Sequence, residues 1–442
     1  MHIQLSDHFN YSKLLRFSFP SIIMLIFTSV YGVVDGFFVS NFVGKTPFTA
    51  VNFIMPFLMI LGSAGFMFGT GGGALIAKTM GEGNAERAKN LFSLIVYTSA
   101  VCGFVLAVLG LLFIRPITAA LGAKGQLLED SVTYGRVILA AIPAYILQYE
   151  FQCLFATAEK PVFGLYVTIA AGLTNIVLDA LFVAGFSWGL EGAAAATALS
   201  QCVGGIVPLL YFACPNSSLL RLGRAAPDKK ALVKTCVNGS SELMSNISMS
   251  IVSMLYNVQL LKYAGEDGVA AYGVLMYVSL VFQAVFIGYS VGTAPIIGYH
   301  YGAGDKAELK GLLKKSFVLV GAFAVMMFSA AFLLAEPLSL IFTGYDKGLL
   351  SLTVHAFSIF SFSFLFSGHA IFGSSFFTAL NDGLTSAAIS FLRTLVFEIA
   401  AVLILPLFWE VNGIWFSIVA AEIMAAVVTM LFLRLKQRKY QY

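Results

Sequence analysis

Apolar residues run through this chain in long blocks, broken by short polar or charged segments. A helix that crosses a bilayer needs about 20 predominantly apolar residues. Blocks of that length fall at 14–39, 47–77, 90–115, 131–157, 160–186, 190–214, 232–263, 269–299, 312–334, 351–378, 383–408 and 413–437. The pattern predicts an all-α membrane protein with 12 transmembrane helices. Several blocks exceed 25 residues, so those helices must tilt, kink or project past the hydrocarbon. Asp7 lies ahead of the first block and no small-residue cleavage site follows it, so the block reads as a retained span.

The blocks repeat. Displaced by 221 residues, Gly81-Glu82-Gly83-Asn84 falls on Gly302-Ala303-Gly304-Asp305, and Lys89 falls on Lys310. The same offset takes Ala50 to Ala271, Met55 to Met276, and Phe151, Phe155, Thr157 and Ala158 to Phe372, Phe376, Thr378 and Ala379. Gly192 meets Gly413. Six helices per half is an even number, so both halves enter the membrane the same way. They form a parallel repeat about an axis along the membrane normal. The expected organisation is an N-lobe at 1–214, a polar linker at 215–230 and a C-lobe at 231–442, facing each other as two six-helix lobes related by pseudo-two-fold symmetry.

Composition excludes water as the sole solvent. Charged residues are 11% of the chain, against roughly 25% in soluble domains, and mean hydropathy is +0.88. The five cysteines are scattered and follow neither a disulfide framework nor a zinc spacing. With the N-terminus placed inside, 20 of the 26 Lys and Arg fall on one side of the membrane. Basic loops stay in the cytoplasm, so both termini are expected there, in a bacterial cytoplasmic (inner) membrane. The small net charge of +4 reflects orientation and gives no sign of a nucleic-acid partner.

The first helix, PSIIMLIFTSVYGVVDGFFVS, and the paired turns GEGNAERAKN and GAGDKAELKG point to a family. So do LTNIVLDALFV in span five and the WGLEGAAAAT run into span six. Together, over nearly the whole chain, these resemble the prokaryotic multidrug and toxic compound extrusion (MATE) transporters. The resemblance implies export of organic, often cationic compounds in exchange for H+ or Na+, by a protein that works as a monomer in the lipid bilayer and uses no other cofactor.

An ionisable group in the hydrocarbon costs roughly 2.5–3.5 kcal/mol on insertion scales, so it is expected to have a function. Asp35 lies two-thirds along span one. Asn175 and Asp179 are four apart in span five and share a helix face. An amide with a carboxylate on one face suits a proton or a small hard cation, and Asp35, Asn175 and Asp179 would be the ligands were the ion Na+. By resemblance Thr197, Gln152 and Tyr134 join this N-lobe cation site. Glu150 either pairs with Arg136 or reaches the cavity. Gln259, Gln283, Met55, Met276 and Tyr289 are candidates for the substrate cavity, chosen for polarity or mid-span position; aromatic faces attract organic cations. His369 is a candidate second protonatable group.

At the constant offset Asp35 maps to Tyr256 and Asp179 to Ala400, so the C-lobe lacks the mirror of the acidic pair. Glu242 reads as a residue near a helix start, with Ser240 or Ser241 as the cap. A lipid-linked oligosaccharide flippase is the alternative transporter, although the N-half interior is almost free of the basic residues a pyrophosphate would require. A membrane enzyme would need a nucleophile–base pair or metal cluster; HExxH does not occur, and His300, His355 and His369 are separated without a ligand pattern.

Overall fold

A computed structural model describes residues 3–43, 45–344 and 346–442. Its described residues form helices and connecting turns, without strands. The first six long helices are α1 Tyr11–Phe38, α2 Lys45–Gly81, α3 Ala85–Ala120, α4 Gly125–Thr157, α5 Pro161–Asp179 and α6 Gly189–Ala213. Then come α7 Lys229–Gly302, α8 Lys306–Leu333 and a short α9 Ala335–Thr343. The last three are α10 Lys347–Ala379, α11 Gly383–Ile404 and α12 Pro406–Tyr440.

Eleven of these helices are long and apolar enough to cross a membrane. One of them is double. α7 has 74 residues, which at 1.5 Å per residue would span about 110 Å, far beyond a hydrocarbon core of about 30 Å. It folds back at Gly265, whose φ of 66° and ψ of −157° suit glycine and break the helix into arms at 229–264 and 266–302. The protein therefore has the 12 expected spans. α9 was not expected, because its apolar run is too short to cross; it leaves Leu340 and Ile341 exposed. α7 also begins at Lys229 and is capped by Asp228, which accepts from the Ala231 N–H. This corrects the serine cap expected near Glu242, which sits well inside the helix.

The two halves repeat at atomic detail. Asn84 caps α3 by accepting from Arg87 N–H, and Asp305, 221 residues on, caps α8 by accepting from Glu308 N–H. Each cap follows a glycine of positive φ, Gly83 and Gly304. The contact between halves is reciprocal too. A Cβ on Gly81 would lie 1.9 Å from the Tyr299 carbonyl oxygen, and one on Gly302 would lie 2.0 Å from that of Lys78. Gly239 approaches Met67 of α2 in the same way, and Gly288 and Gly292, the repeat mates of Met67 and Gly71, approach Ile22 and Ser18 of α1. Glycine permits backbones to meet, and close helix approach in lipid depends on small residues.

This seam lies at the end that carries both termini. Leu5 donates its N–H to Glu159 in the α4–α5 turn, and Phe9 N–H donates to Glu308 at the start of α8. Tyr440 hydroxyl donates to Asp382 in the α10–α11 turn. The linker runs against α3, where Gly223 N–H meets Ser93 and Ala226 N–H meets Asn90. Facing outward, α3 exposes Val101, Phe104, Leu112 and Phe113, a surface that lipid solvates and water does not.

Candidate functional site

α1 brings Asp35 against α5 and α6. Thr197 of α6 donates its hydroxyl toward Asp35 Oδ1 at 3.3 Å and also reaches its own Ala193 carbonyl at 3.1 Å. Asp35 further interacts with Asp179 and Asn175. Asp179 is fully buried and Asn175 is 1% exposed, yet no well-formed hydrogen bond reaches either Asp179 oxygen or the Asn175 amide. Two carboxyl groups that face each other repel when both are ionised, and desolvation of the donorless Asp179 adds to the cost. A proton or a cation between them removes both penalties. A π-turn follows directly after Asp179, at Ala180–Gly185, and another follows α1 at Val39–Val43. Such turns locally unwind a helix and recur at functional sites.

Of the expected partners, Tyr134 belongs to this cluster. It is fully buried, interacts with Thr197, Asp35 and Asp179, and points its hydroxyl at Met55 sulfur at 4.0 Å. Met55 is thus a neighbour of the acidic pair through Tyr134. Gln152 sits lower on α4, with Nε2 3.5 Å from Thr28, two turns of α1 away from Asp35. Between them lies a rung the sequence analysis missed. Gln148 Nε2 donates to the Tyr31 hydroxyl at 3.3 Å, and the Tyr145 and Tyr149 hydroxyls are 2.9 Å apart. Residues 145, 148, 149 and 152 form one stripe of α4, a spacing of three and four that sequence inspection could have detected.

Glu150 points away from this stripe. It is fully buried and accepts from Ser99 of α3 through a short hydrogen bond. It therefore meets neither Arg136, which is exposed, nor a cavity, because its position on α4 directs it into the α3 contact. Tyr289 is also removed from a cavity wall. It is fully buried in the C-half, with its hydroxyl on Ser316 at 2.9 Å and its ring against Phe323 and Phe372. Gln283 donates to Ser279 on its own helix. Gln259 and Met276 are half-buried on α7, and Met276 packs against the edge of the C-half core. His369 is half-buried with its ring 5.8 Å from that of Phe317.

The C-half holds a charged cluster of its own. Arg393 of α11 makes three hydrogen bonds to Glu422 of α12, at 2.7, 2.9 and 3.1 Å, with side chains 14% and 4% exposed. Glu398 and Glu242 lie within electrostatic range of Arg393. Tyr256, the repeat mate of Asp35, stacks on Tyr272 with centroids 5.1 Å apart. On its own helix the charge near Arg393 is Glu398, five residues away and so off an ideal pairing face. The partner it found instead is 29 residues on, across a helix turn.

A family model, MatE, matches residues 20–181 and again 243–404, once in each half. Multidrug export protein MepA of Staphylococcus aureus (strain NCTC 8325 / PS 47) is 24% identical over 427 residues, covering 96% of this chain and 94% of that protein. MepA of Staphylococcus saprophyticus is 24% identical over 433 residues with the same coverage. A solved structure of MATE in complex with MaL6 superimposes with a TM-score of 0.93 at 22% identity, covering 98% of both chains. MATE in the bent conformation gives 0.89 at 22% identity, covering 98% of this chain and 97% of that one.

Proposed function

Because this chain belongs to the MatE family, we propose that it exports lipophilic, often cationic, small molecules across the membrane in exchange for H+ or Na+. The names of its MepA relatives support the export half of this reading. The observation that carries the coupling half is the facing pair Asp35 and Asp179, with a buried Asp179 that no donor satisfies. The pair takes up a proton or Na+, and Asn175 and Thr197 supply neutral oxygens beside it. Loading neutralises the carboxyl groups and removes their repulsion. The α1 segment that carries Asp35 then repacks against α5. Drug and cation compete through this movement, and the two lobes rock about the seam. The family match and the export names of the relatives support a transporter rather than an enzyme.

The excess of basic residues on the side of the termini supports a cytoplasmic location for both ends, in the inner membrane of a bacterium. In that orientation the glycine seam lies on the cytoplasmic side. The lobes divide at the linker 215–230, and the chain acts as a monomer. A flippase for pyrophosphate-linked sugars fits less well, because the buried Arg393 is already bound by Glu422.

The test is uptake of a fluorescent cationic drug into inverted vesicles under an imposed pH or Na+ gradient. One gradient drives uptake, and Asp35→Asn abolishes it at equal expression. Undiminished uptake in Asp35→Asn would remove the acidic pair from the coupling mechanism.

A further inference from the structure

A cleft of about 430 Å³ opens where α7 begins, beside the α10–α11 turn. Lys229, Lys230 and Lys234 line it, and none has an ion-pair partner within 4 Å among the described residues. Lys78 and Arg87 add positive potential around Lys234, with Glu82 as the opposing charge. The floor is mainly apolar, with two asparagines whose amides are incompletely satisfied. Asn238 is 1% exposed, and its amide nitrogen donates to the Thr378 carbonyl at 2.9 Å, while its amide oxygen has no donor. The Asn381 amide oxygen is likewise buried without a donor. Next to the lysines, Val233, Val237 and Leu384 are exposed apolar residues.

We propose that this cleft binds the headgroup of an anionic phospholipid whose phosphate is esterified to a polyol, as in phosphatidylglycerol. Each part of the site matches one part of that ligand. Three unpaired ammonium groups meet the phosphate, and basic pockets between membrane helices are recognised sites for anionic headgroups. The amide oxygens of Asn238 and Asn381 are acceptors buried at the cleft floor without a donor, and a headgroup hydroxyl supplies the donor that a phosphodiester lacks. The exposed valines and leucine give the acyl chains a place beside the headgroup. A soluble glycerol phosphate carries the same polar chemistry without the chains.

The position gives binding a consequence. Asn238 and Asn381 also donate toward backbone carbonyls of α2, at Gly71 and Ala74, so the cleft sits over the seam between halves. A headgroup held there stabilises the closed seam, because a ligand favours the state that contains its site.

Thermal unfolding of the full-length protein tests this, in nanodiscs of phosphatidylcholine with and without phosphatidylglycerol. Phosphatidylglycerol raises the melting temperature. Lys229→Gln, Lys230→Gln and Lys234→Gln together weaken its apparent affinity about a hundredfold, at about fivefold per lysine. Added salt weakens the preference in the unmodified protein as well. Equal melting temperatures in the two lipids, or an unchanged preference in the triple variant or at high salt, would overturn the assignment. Stabilisation of the same size by soluble glycerol phosphate in pure phosphatidylcholine would also overturn it, and would assign the cleft to a soluble phosphate ester.

Discussion

Adding one methyl group to the seam should open it. In Gly239→Ala the new Cβ would stand 1.9 Å from the Met67 carbonyl oxygen, with the carbonyl carbon at 2.7 Å and Cα at 2.9 Å. All three are backbone atoms of α2, so no side chain can swing aside. Ordinary contact begins at 3.4 Å, and the first arm of α7 must therefore retreat from α2 by about 1.5 Å. Overpacking of this kind costs roughly 1–3 kcal/mol. Borne by the closed state alone, that shifts the closed-to-open ratio by about fivefold to 150-fold. Spin labels at Glu82→Cys in the α2–α3 turn and Lys306→Cys on α8, with the native cysteines replaced by serine, report the separation of the halves at this end. Gly239→Ala moves their distance distribution to longer values and lowers drug export. The control is Gly273→Ala, where nothing lies within 4 Å of the new Cβ, and the distribution stays in place. Identical distributions and equal export in the two variants would refute the view that backbone contact at these glycines holds the end closed.

Two further outcomes follow from the charged contacts. Glu422→Ala leaves the Arg393 guanidinium buried without the three hydrogen bonds it makes. It should cost about 3–5 kcal/mol in thermal unfolding. Arg393→Met with Glu422→Leu should recover most of this, and a double variant no more stable than the single would refute it. For Asp382, burial pushes the carboxyl up, but hydrogen bonds from Tyr440 and Thr385 and the Lys436 charge outweigh burial and hold it below the usual carboxylate range. A depressed folded value means that this stability is complete above the unfolded value of about 4 and is lost as pH falls through the depressed one. Unfolding midpoints measured downward from pH 5 should therefore drop more steeply for the native chain than for Asp382→Asn, and equal slopes would count against the contact.

Much of this protein is legible in one dimension. Hydrophobic span length is a local property, so the 12 crossings and their approximate ends could be read from runs of apolar residues. The exception is α9, whose run is too short to announce itself. The repeat was equally legible, because duplicated contacts keep their offset: Gly81 with Gly302 and Asn84 with Asp305 mark the same turn twice. The cost of burying charge pointed to Asp35 and Asp179 before any helix was placed. That Thr197 touches Asp35, and that Tyr31 and Gln148 fill the space toward Gln152, depends on how α1 rotates against α4 and α6. Periodicity gives the face of each helix but not the face it meets. Glu150 and Tyr289 show the same limit from the other side, as polar groups turned toward Ser99 and Ser316 inside their own halves. Arg393 could be matched by sequence only to charges near it on its helix, whereas its partner Glu422 reaches it across the turn between α11 and α12. The lysine cleft is tertiary in the same sense. Lys229, Lys230 and Lys234 are 147 or more residues from Asn381, and only the packing of α7 against the α10–α11 turn brings unpaired cations and unsatisfied amide oxygens to one place.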